Sequence, residues 1–263
     1  HNYDLGVSFY TNKVGLFTIN GFYKEISELI YRLPKYEPHF IENLQASGAP
    51  ASLIESLTAP EALYDSQIYD ARSTNNNKPI NNPNKSEFYG FEISWQSNFW
   101  YLPGVLSGLV LDLNYSMIWS GTELPYIGFV PGIDSSGFFP IPVDLAVYEK
   151  RESRMLDQPA HLFNARIGWD YKGFSTRLSF RYQGSTITSV DPLYSLLDEQ
   201  NNAMFRIDLN ARQMITERFS VSLDIANLNN YIDDRVVDAQ GQYFPRRSEY
   251  YGMNIILGLR YDF

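Results

Sequence analysis

The chain of 263 residues contains no cysteine and only three histidines. The absence of cysteine excludes disulfides, thiolate metal sites and cysteine nucleophiles, and it is typical of an envelope compartment where free thiols are oxidised. No segment approaches the roughly 18 consecutive apolar residues of a membrane-spanning helix, so helical spans are excluded as well.

Basic residues are also scarce, with 21 Lys and Arg against 30 Asp and Glu and a formal net charge of −9. A chain of this charge repels phosphates, so we expect no nucleic-acid partner. The hydrophobic fraction of 44% is too high for a disordered chain. Aromatic residues reach 16%, more than an ordinary soluble core needs. This abundance indicates a protein at a boundary between water and an apolar phase.

The motifs of common enzymes are missing. The chain has no H-E-x-x-H, no G-x-S-x-G, no Walker loop and no G-x-G-x-x-G that opens a helix after a strand. Its histidines, His1, His39 and His161, are widely separated, and the aspartates within 233–238 lack EF-hand spacing. We therefore predict no enzymatic activity, no catalytic residues, no metal site and no cofactor.

The strongest positive signal is a period of two between apolar and polar residues. It is cleanest at the C-terminus, where the apolar positions are Met253, Ile255, Leu257, Leu259, Tyr261 and Phe263. Such alternation predicts a strand with one apolar and one polar face. The same alternation occurs at 91–96, 108–119, 163–171, 174–183, 205–212 and 219–225. Segments 2–10 and 14–27 also read as strands, although the faces of the second cannot be assigned, which makes about nine strands.

The connections between these strands alternate in length. Short turns fall at 11–13, 101–104, 171–173 and 216–218, and long connections fall at about 28–85, 120–160, 185–202 and 229–248. Outer-membrane barrels have short periplasmic turns, long extracellular loops and strands of about ten residues. We therefore predict an all-β fold, an antiparallel transmembrane β-barrel. The alternative is a soluble antiparallel sheet with one solvated face, which would need a second layer to cover its apolar side.

The strand register gives an energetic check on this prediction. An arginine at the bilayer midplane costs roughly 2–4 kcal/mol, so the charged residues are expected to face the lumen. The residues predicted to face the lumen are Arg166, Arg177, Arg181, Arg206, Asp208, Arg212 and Arg260. Those predicted to face lipid include Phe205, Ile207, Leu209, Leu223, Ile225, Ile255, Leu257 and Leu259. An interfacial aromatic belt is predicted at Trp95, Trp119, Trp169, Tyr171 and Tyr261.

Several short motifs resemble the C-terminal β-barrel portion of a TonB-dependent outer-membrane receptor. They are FPRRSEYYG at 244–252, GLRYDF at 258–263, IANLNNY at 225–231, NYDLG at 2–6 and SEFYGFE at 86–92. Their order and spacing cover essentially the whole chain. The resemblance implies that residues 1–263 are the last nine strands of a 22-stranded barrel in the cell outer membrane. Segments 2–9 and 252–263 are then expected at unpaired sheet edges.

The plug domain and the TonB box of that family are absent from these residues. The resemblance therefore implies that energised uptake of a scarce nutrient belongs to a longer parent protein. The implied partners are outer-membrane lipid, TonB through the missing N-terminal plug, and a small nutrient ligand. Iron chelates, cobalamin, glycans and peptides all remain open as substrates. The alternatives are a passive porin, an outer-membrane surface protein without a plug, and a soluble carbohydrate-binding β-protein.

The long loops supply the candidate ligand contacts, because a rigid scaffold positions variable loops for recognition. The candidates are Tyr126, Phe129, Phe138, Phe139, Arg235, Tyr243, Arg246 and Arg247. For the aromatic candidates the alternative is that the rings pack the loops on one another. Within the first long loop, 38–44 and 50–57 read as short helices, and 75–84 reads as a turn-rich segment.

Overall fold

The computed structural model describes residues 1–34, 44–58, 77–135, 138–191, 195–239 and 242–263. Strands β1 to β9 are Asn2–Thr11, Gly15–Ile26, Ile30–Pro34, Asn77–Asn81, Ser86–Asn98, Leu109–Asp134, Ile141–Ser153, His161–Tyr171 and Phe174–Gln183. Strands β10 to β16 are Thr186–Ser189, Glu199–Asn201, Met204–Met214, Phe219–Ala226, Asp233–Ala239, Gln242–Glu249 and Asn254–Tyr261. Helix α1 is Ala51–Thr58. None of the helices in the described residues is long and apolar enough to cross a membrane.

The main sheet is antiparallel, with the order β1-β2-β5-β6-β8-β9-β12-β13-β16, and β7 pairs with β6 outside this path. The nine strands of the path correspond to the nine segments predicted as strands, and they follow one another in chain order. The path ends at β1 and β16, which do not pair with each other within the described residues. The barrel is therefore open in this chain, and the two predicted edges are confirmed.

The short connections lie together at one end of the sheet. Since neighbouring strands are antiparallel, the turns after β1, β5, β8 and β12 must fall at the same end. The tightest is the two-residue connection between β8 and β9, where Lys172 has a φ of 46° and Gly173 a φ of 79°. Positive φ at both positions matches the twist of a β-hairpin. The predicted sidedness of the short turns is confirmed.

The register sorts the side chains into two faces, because directly opposed residues point to the same side of a sheet. One cross-strand row consists of Val7, Ile19, Ile93, Tyr115, Phe163, Tyr182 and Phe205. The next row consists of Ser8, Thr18, Ser94, Asn114, Asn164, Arg181 and Arg206. We call the side of the first row the apolar face and the side of the second row the polar face.

The apolar face is exposed rather than packed under a second layer. Leu5, Leu257 and Leu259 expose 79%, 69% and 70% of their surface. Soluble domains seldom leave contiguous apolar surface of this kind in water, whereas lipid covers it at no cost. The second layer that the soluble alternative requires is not formed by the described residues.

A buried cluster lies among the long connections, and β6 contributes to it from the part of the strand that pairs with β7. It contains Tyr31, Leu44, Leu53, Leu124 and Val190. The predicted helix at 50–57 is confirmed by α1, whereas most of the one predicted at 38–44 lies outside the described residues. The turn-rich prediction is wrong for Asn77–Asn81, since these residues form β4 and pair with β3. Backbone pairing there outweighs the local turn preference of Asn and Pro.

The connection at 120–160 also differs from the irregular loop that its Gly and Pro content favours. Strand β6 runs for 26 residues, and it pairs with β8 in its first part and with β7 in its last part. The result is a β-hairpin that extends beyond the sheet. The connections at 185–202 and 229–248 share another sheet, of order β10-β11-β14-β15. The long connections are thus built mainly from strands.

Candidate functional site

The long connections are locked to one another by an ion pair between β7 and the segment before β11. The Arg151 guanidinium donates to the Asp198 carboxylate, and their side chains are only 18% and 24% exposed. Arg151 also donates to the carbonyl oxygen of Asp191 at 3.2 Å, and the backbone N–H of Asp191 donates to Asp198 at 2.9 Å. Burial raises the pKa of the Asp198 carboxyl, and Arg151 offsets part of that cost.

Two phenols lie near this ion pair in the loop core. The hydroxyl groups of Tyr31 and Tyr148 are buried and have no hydrogen-bond partner among the described residues. Burial raises the pKa of Tyr31 to about 12. Tyr31 therefore stays neutral over the physiological range.

The aromatic candidates separate into packed and exposed rings. Tyr126 is half-buried, with the Arg151 guanidinium 5.9 Å from its ring centroid. Phe129 lies opposite Ala146 in the β6–β7 hairpin, and the position of its side chain is outside the described part of the structure. Phe138 and Phe139 are 93% and 73% exposed, and their rings meet edge to face at 4.9 Å. Tyr126 therefore packs within the loops, whereas Phe138 and Phe139 are exposed, and contact of these rings with a ligand stays a prediction.

The arginine candidates of the last loop are held in ion pairs with glutamate. Glu199 in β11 accepts from Arg246 at 3.3 Å and lies 3.8 Å from Arg235. Arg247 pairs with Glu249 on its own strand. The remaining candidate of this loop, Tyr243, is 61% exposed. Periodicity gives no signal for the Glu199 contacts, because they join two loops that are far apart in sequence.

The charged residues predicted to face the lumen share the polar face of the sheet. Most of them have a partner nearby: Arg177 binds Asp170 through two bonds of 2.6 and 2.8 Å, and Arg206 binds Asp208 at 2.9 Å. Arg212 donates to Ser220 at 3.2 Å, and Arg260 donates to Asp262 at 2.9 Å.

Arg166 and Arg181 differ from the other arginines of the polar face. They are exposed and make no hydrogen bond or ion pair with any described residue. They lie on neighbouring strands, with Arg166 opposite Ser179 and Arg181 opposite Asn164. A cavity of about 660 Å³ near the short turns is lined by Arg166, Arg177, Asp112 and Trp100 among others. Arg166 therefore brings cationic hydrogen-bond donors to this cavity that no described residue uses.

A second cavity, of about 430 Å³, lies at the opposite end of the polar face. Phe22 and Phe88 stack in its wall, with ring centroids 5.3 Å apart and an interplanar angle of 25°. The sequence prediction missed this pair, because it could not assign the faces of β2. The register assigns them: Phe22 lies opposite Gly90, on the same side as Asn20 and Lys24.

Tryptophans of the predicted aromatic belt bind the backbone of the short turns. Trp95 and Trp169 donate their indole N–H to the carbonyl oxygens of Val14 and Val105, both at 2.7 Å. Trp119 stacks on Tyr89 at 5.7 Å toward the other end of the apolar face. These amphipathic rings are thus found near both ends of the apolar face, as expected for side chains at two membrane interfaces.

In the described ranges, no group of three or more His, Asp or Glu residues could hold a metal ion.

Comparisons with known proteins give one family and one fold. The model of a family described as "TonB dependent receptor-like, beta-barrel" matches residues 1–228. The ferripyoverdine receptor of the outer membrane of Pseudomonas aeruginosa is similar with a TM-score of 0.53 and 16% identity, over 100% of this chain and 27% of that chain. The ferric enterobactin receptor of the same organism is similar with a TM-score of 0.52 and 15% identity, over 100% of this chain and 31% of that chain. The copper transporter OprC is similar with a TM-score of 0.51 and 12% identity, over 100% of this chain and 31% of that chain.

At these identities the likeness to the solved structures is one of fold. This chain spans less than a third of the length of each of those three proteins. The search of curated proteins found no match.

Proposed function

Since this chain belongs to the family of TonB-dependent receptor β-barrels, we propose that it forms part of the wall of a receptor that imports a scarce nutrient by energised transport. The chain is a protein of the outer membrane, as is the ferripyoverdine receptor that it resembles in fold. The proposed partners are lipid on the apolar face, a small nutrient ligand on the polar face and loops, and TonB through a plug domain. We expect no catalytic activity.

One observation carries this proposal: one face of the sheet is mainly apolar, whereas the other carries most of its charged and amide side chains. Apolar-face side chains such as Leu257 are largely exposed, whereas the polar face presents arginines and amides. A sheet of this kind is stable where one side meets lipid and the other meets water or a polar ligand. We propose that the polar face is the lumen wall and that Arg166 and Arg181 meet groups that enter the lumen.

Energised uptake is the property that distinguishes a TonB-dependent receptor from a passive porin. Cells that express the receptor are expected to accumulate its nutrient only while the inner membrane is energised. The measurement is uptake of labelled nutrient before and after a protonophore collapses the proton gradient. A variant without the TonB box serves as the matched control, and it should resemble protonophore-treated cells. Uptake that continues unchanged in both cases would support the porin instead.

The tip of the β6–β7 hairpin is proposed as a point of ligand capture. Phe138 and Phe139 expose large apolar surfaces to water, so their replacement by serine should cost little stability. If the rings contact the nutrient, Phe138→Ser and Phe139→Ser should each raise the nutrient concentration for half-maximal uptake by about tenfold. This is the loss of affinity expected when one aromatic contact is removed. The control is Val14→Ser in a short turn. Equal half-maximal concentrations in all three variants would contradict a role for the tip.

A further inference from the structure

The cavity of about 430 Å³ on the polar face lies near the long-loop end of β1, β2, β5 and β6. Its volume falls within the range of about 300–1,000 Å³ that is usual for small-molecule sites. The residues that define its chemistry are Asp4, Asn20, Phe22, Lys24, Phe88 and Glu92. We propose that this cavity binds a neutral sugar ring of an oligosaccharide substrate. The inference rests on the proposed uptake function, and it names the class of substrate.

The stacked pair of Phe22 and Phe88 lines the cavity. The Phe22 ring reaches across Gly90 of the neighbouring strand, where an added Cβ would lie 2.9 Å from the ring and even closer to a backbone oxygen of Met117. Gly90 is therefore needed for the ring to take this position. Both rings are half-buried, so each keeps part of its surface open to the cavity. The glycine and the stack together make an apolar platform on the polar face.

The charged groups around the platform are of both signs. The Lys24 ammonium lies 5.9 Å from the centroid of the Phe22 ring. Glu92 accepts from the Ser116 hydroxyl at 3.5 Å, and Asp4 makes no hydrogen bond with any described residue. Their carboxylate oxygens therefore have acceptor capacity left, while the Asn20 amide and Lys24 can donate.

This combination matches the chemistry of a neutral sugar. The C–H groups of a sugar ring form an apolar face that stacks on the negative face of an aromatic ring. The hydroxyl groups at its rim both donate and accept, so they suit carboxylates, an amide and an ammonium at once. An anionic metal chelate is disfavoured, because Asp4 and Glu92 outnumber the single cation Lys24. The charge of this cavity thus favours a polyhydroxyl ring over a chelate.

The test measures binding to the intact receptor purified from outer membranes in detergent. The probes are neutral gluco-, xylo- and chito-oligosaccharides of two to six units, and an anionic ferric catecholate serves as the competing class. We expect one neutral series to bind. Phe22→Leu and Phe88→Leu should each weaken its binding about tenfold, because leucine keeps the apolar volume but removes the aromatic face. Glu92→Gln should weaken it about fivefold by removing a charged acceptor.

The matched control is Phe17→Leu, which changes the same residue type on the same strand but on the apolar face. It should bind the oligosaccharide like the unsubstituted receptor. The inference would be overturned by the absence of binding of every neutral series, by unchanged binding in both platform variants, or by tighter binding of the ferric catecholate. If the receptor took up another compound with the proton gradient but bound no sugar, only this inference would be contradicted. If it bound sugar but its uptake did not depend on the proton gradient, only the proposed function would be contradicted.

Discussion

Replacing Leu209 by arginine is expected to destabilise the receptor strongly in its membrane. Leu209 lies near the middle of β12 on the apolar face, between Leu178 of β9 and Ile225 of β13. At the bilayer midplane the guanidinium has no water and no partner, so placing it there destabilises the folded receptor by about 2–4 kcal/mol. The expected result is a large loss of folded receptor from outer membranes, measured by heat-dependent migration in detergent gels and by the urea concentration that unfolds it.

The adjacent residue provides the control for this change. Asn210 lies on the polar face, where its side-chain amide donates to Asp224. An arginine at this position can bind the same carboxylate in an aqueous lumen, so Asn210→Arg should assemble nearly as well as the unsubstituted receptor. If both variants assembled equally well, or if Asn210→Arg were the worse of the two, the apolar face would not be the lipid face.

Replacing Arg151 by glutamine is expected to detach the long connections from one another while the membrane sheet stays folded. The change leaves the Asp198 carboxylate half-buried in the loop core without its cation. An uncompensated group of this kind costs about 1–3 kcal/mol. Limited proteolysis should therefore cut within 141–153 and 195–201 much faster than in the unsubstituted receptor, while β12 and β13 stay protected.

The effect should depend on pH in a defined direction. Burial already holds the pKa of Asp198 above its ordinary value of 3.8, and loss of Arg151 raises the pKa further. A raised pKa in the folded state means that stability is lost as the pH rises through that pKa. Arg151→Gln should therefore be most destabilising at neutral pH, and the effect should shrink as acid protonates the carboxyl. Proteolysis with an acid-active and a neutral protease measures the difference.

Two further variants separate the ion pair from other effects of the substitution. Arg151→Gln combined with Asp198→Asn removes both charges, so it should recover much of the lost protection. Lys150→Gln breaks the neighbouring pair with Glu123, whose side chains are 48% and 46% exposed. Exposed pairs contribute little, so this variant should resemble the unsubstituted receptor. Equal sensitivity of Lys150→Gln and Arg151→Gln would contradict the assigned role of the Arg151–Asp198 pair.

Prediction from sequence succeeded where the determining signal is local. In β12, β13 and β16 the period of two predicts the face of most side chains, since a slip of one residue would turn arginines toward lipid. The short turns are equally local, as the Lys172–Gly173 hairpin illustrates. Strand number, strand order and the sidedness of the turns all followed from these signals.

In β2 the local signal is ambiguous. Phe22 occupies a polar-face position between Gly21 and Tyr23, so apolar residues there fall on both faces. Only the pairing with β5, which sets Gly90 opposite Phe22, decides which way the ring points. The candidate sugar cavity therefore could not be found from the sequence. Once the register is known, its residues on β2 occupy every second position of the strand.

The amino-acid sequence by itself thus determined the main sheet, the faces of most of its strands and its membrane class, because apolar alternation and turn chemistry act between near neighbours in the chain. The tertiary structure alone decided how the long connections pack, that Glu199 holds Arg235 and Arg246, and that Phe138 and Phe139 stay exposed. The physical reason is distance along the chain. Arg151 and Asp198 are 47 residues apart, and no periodicity in either loop encodes a contact that exists only after both loops have folded.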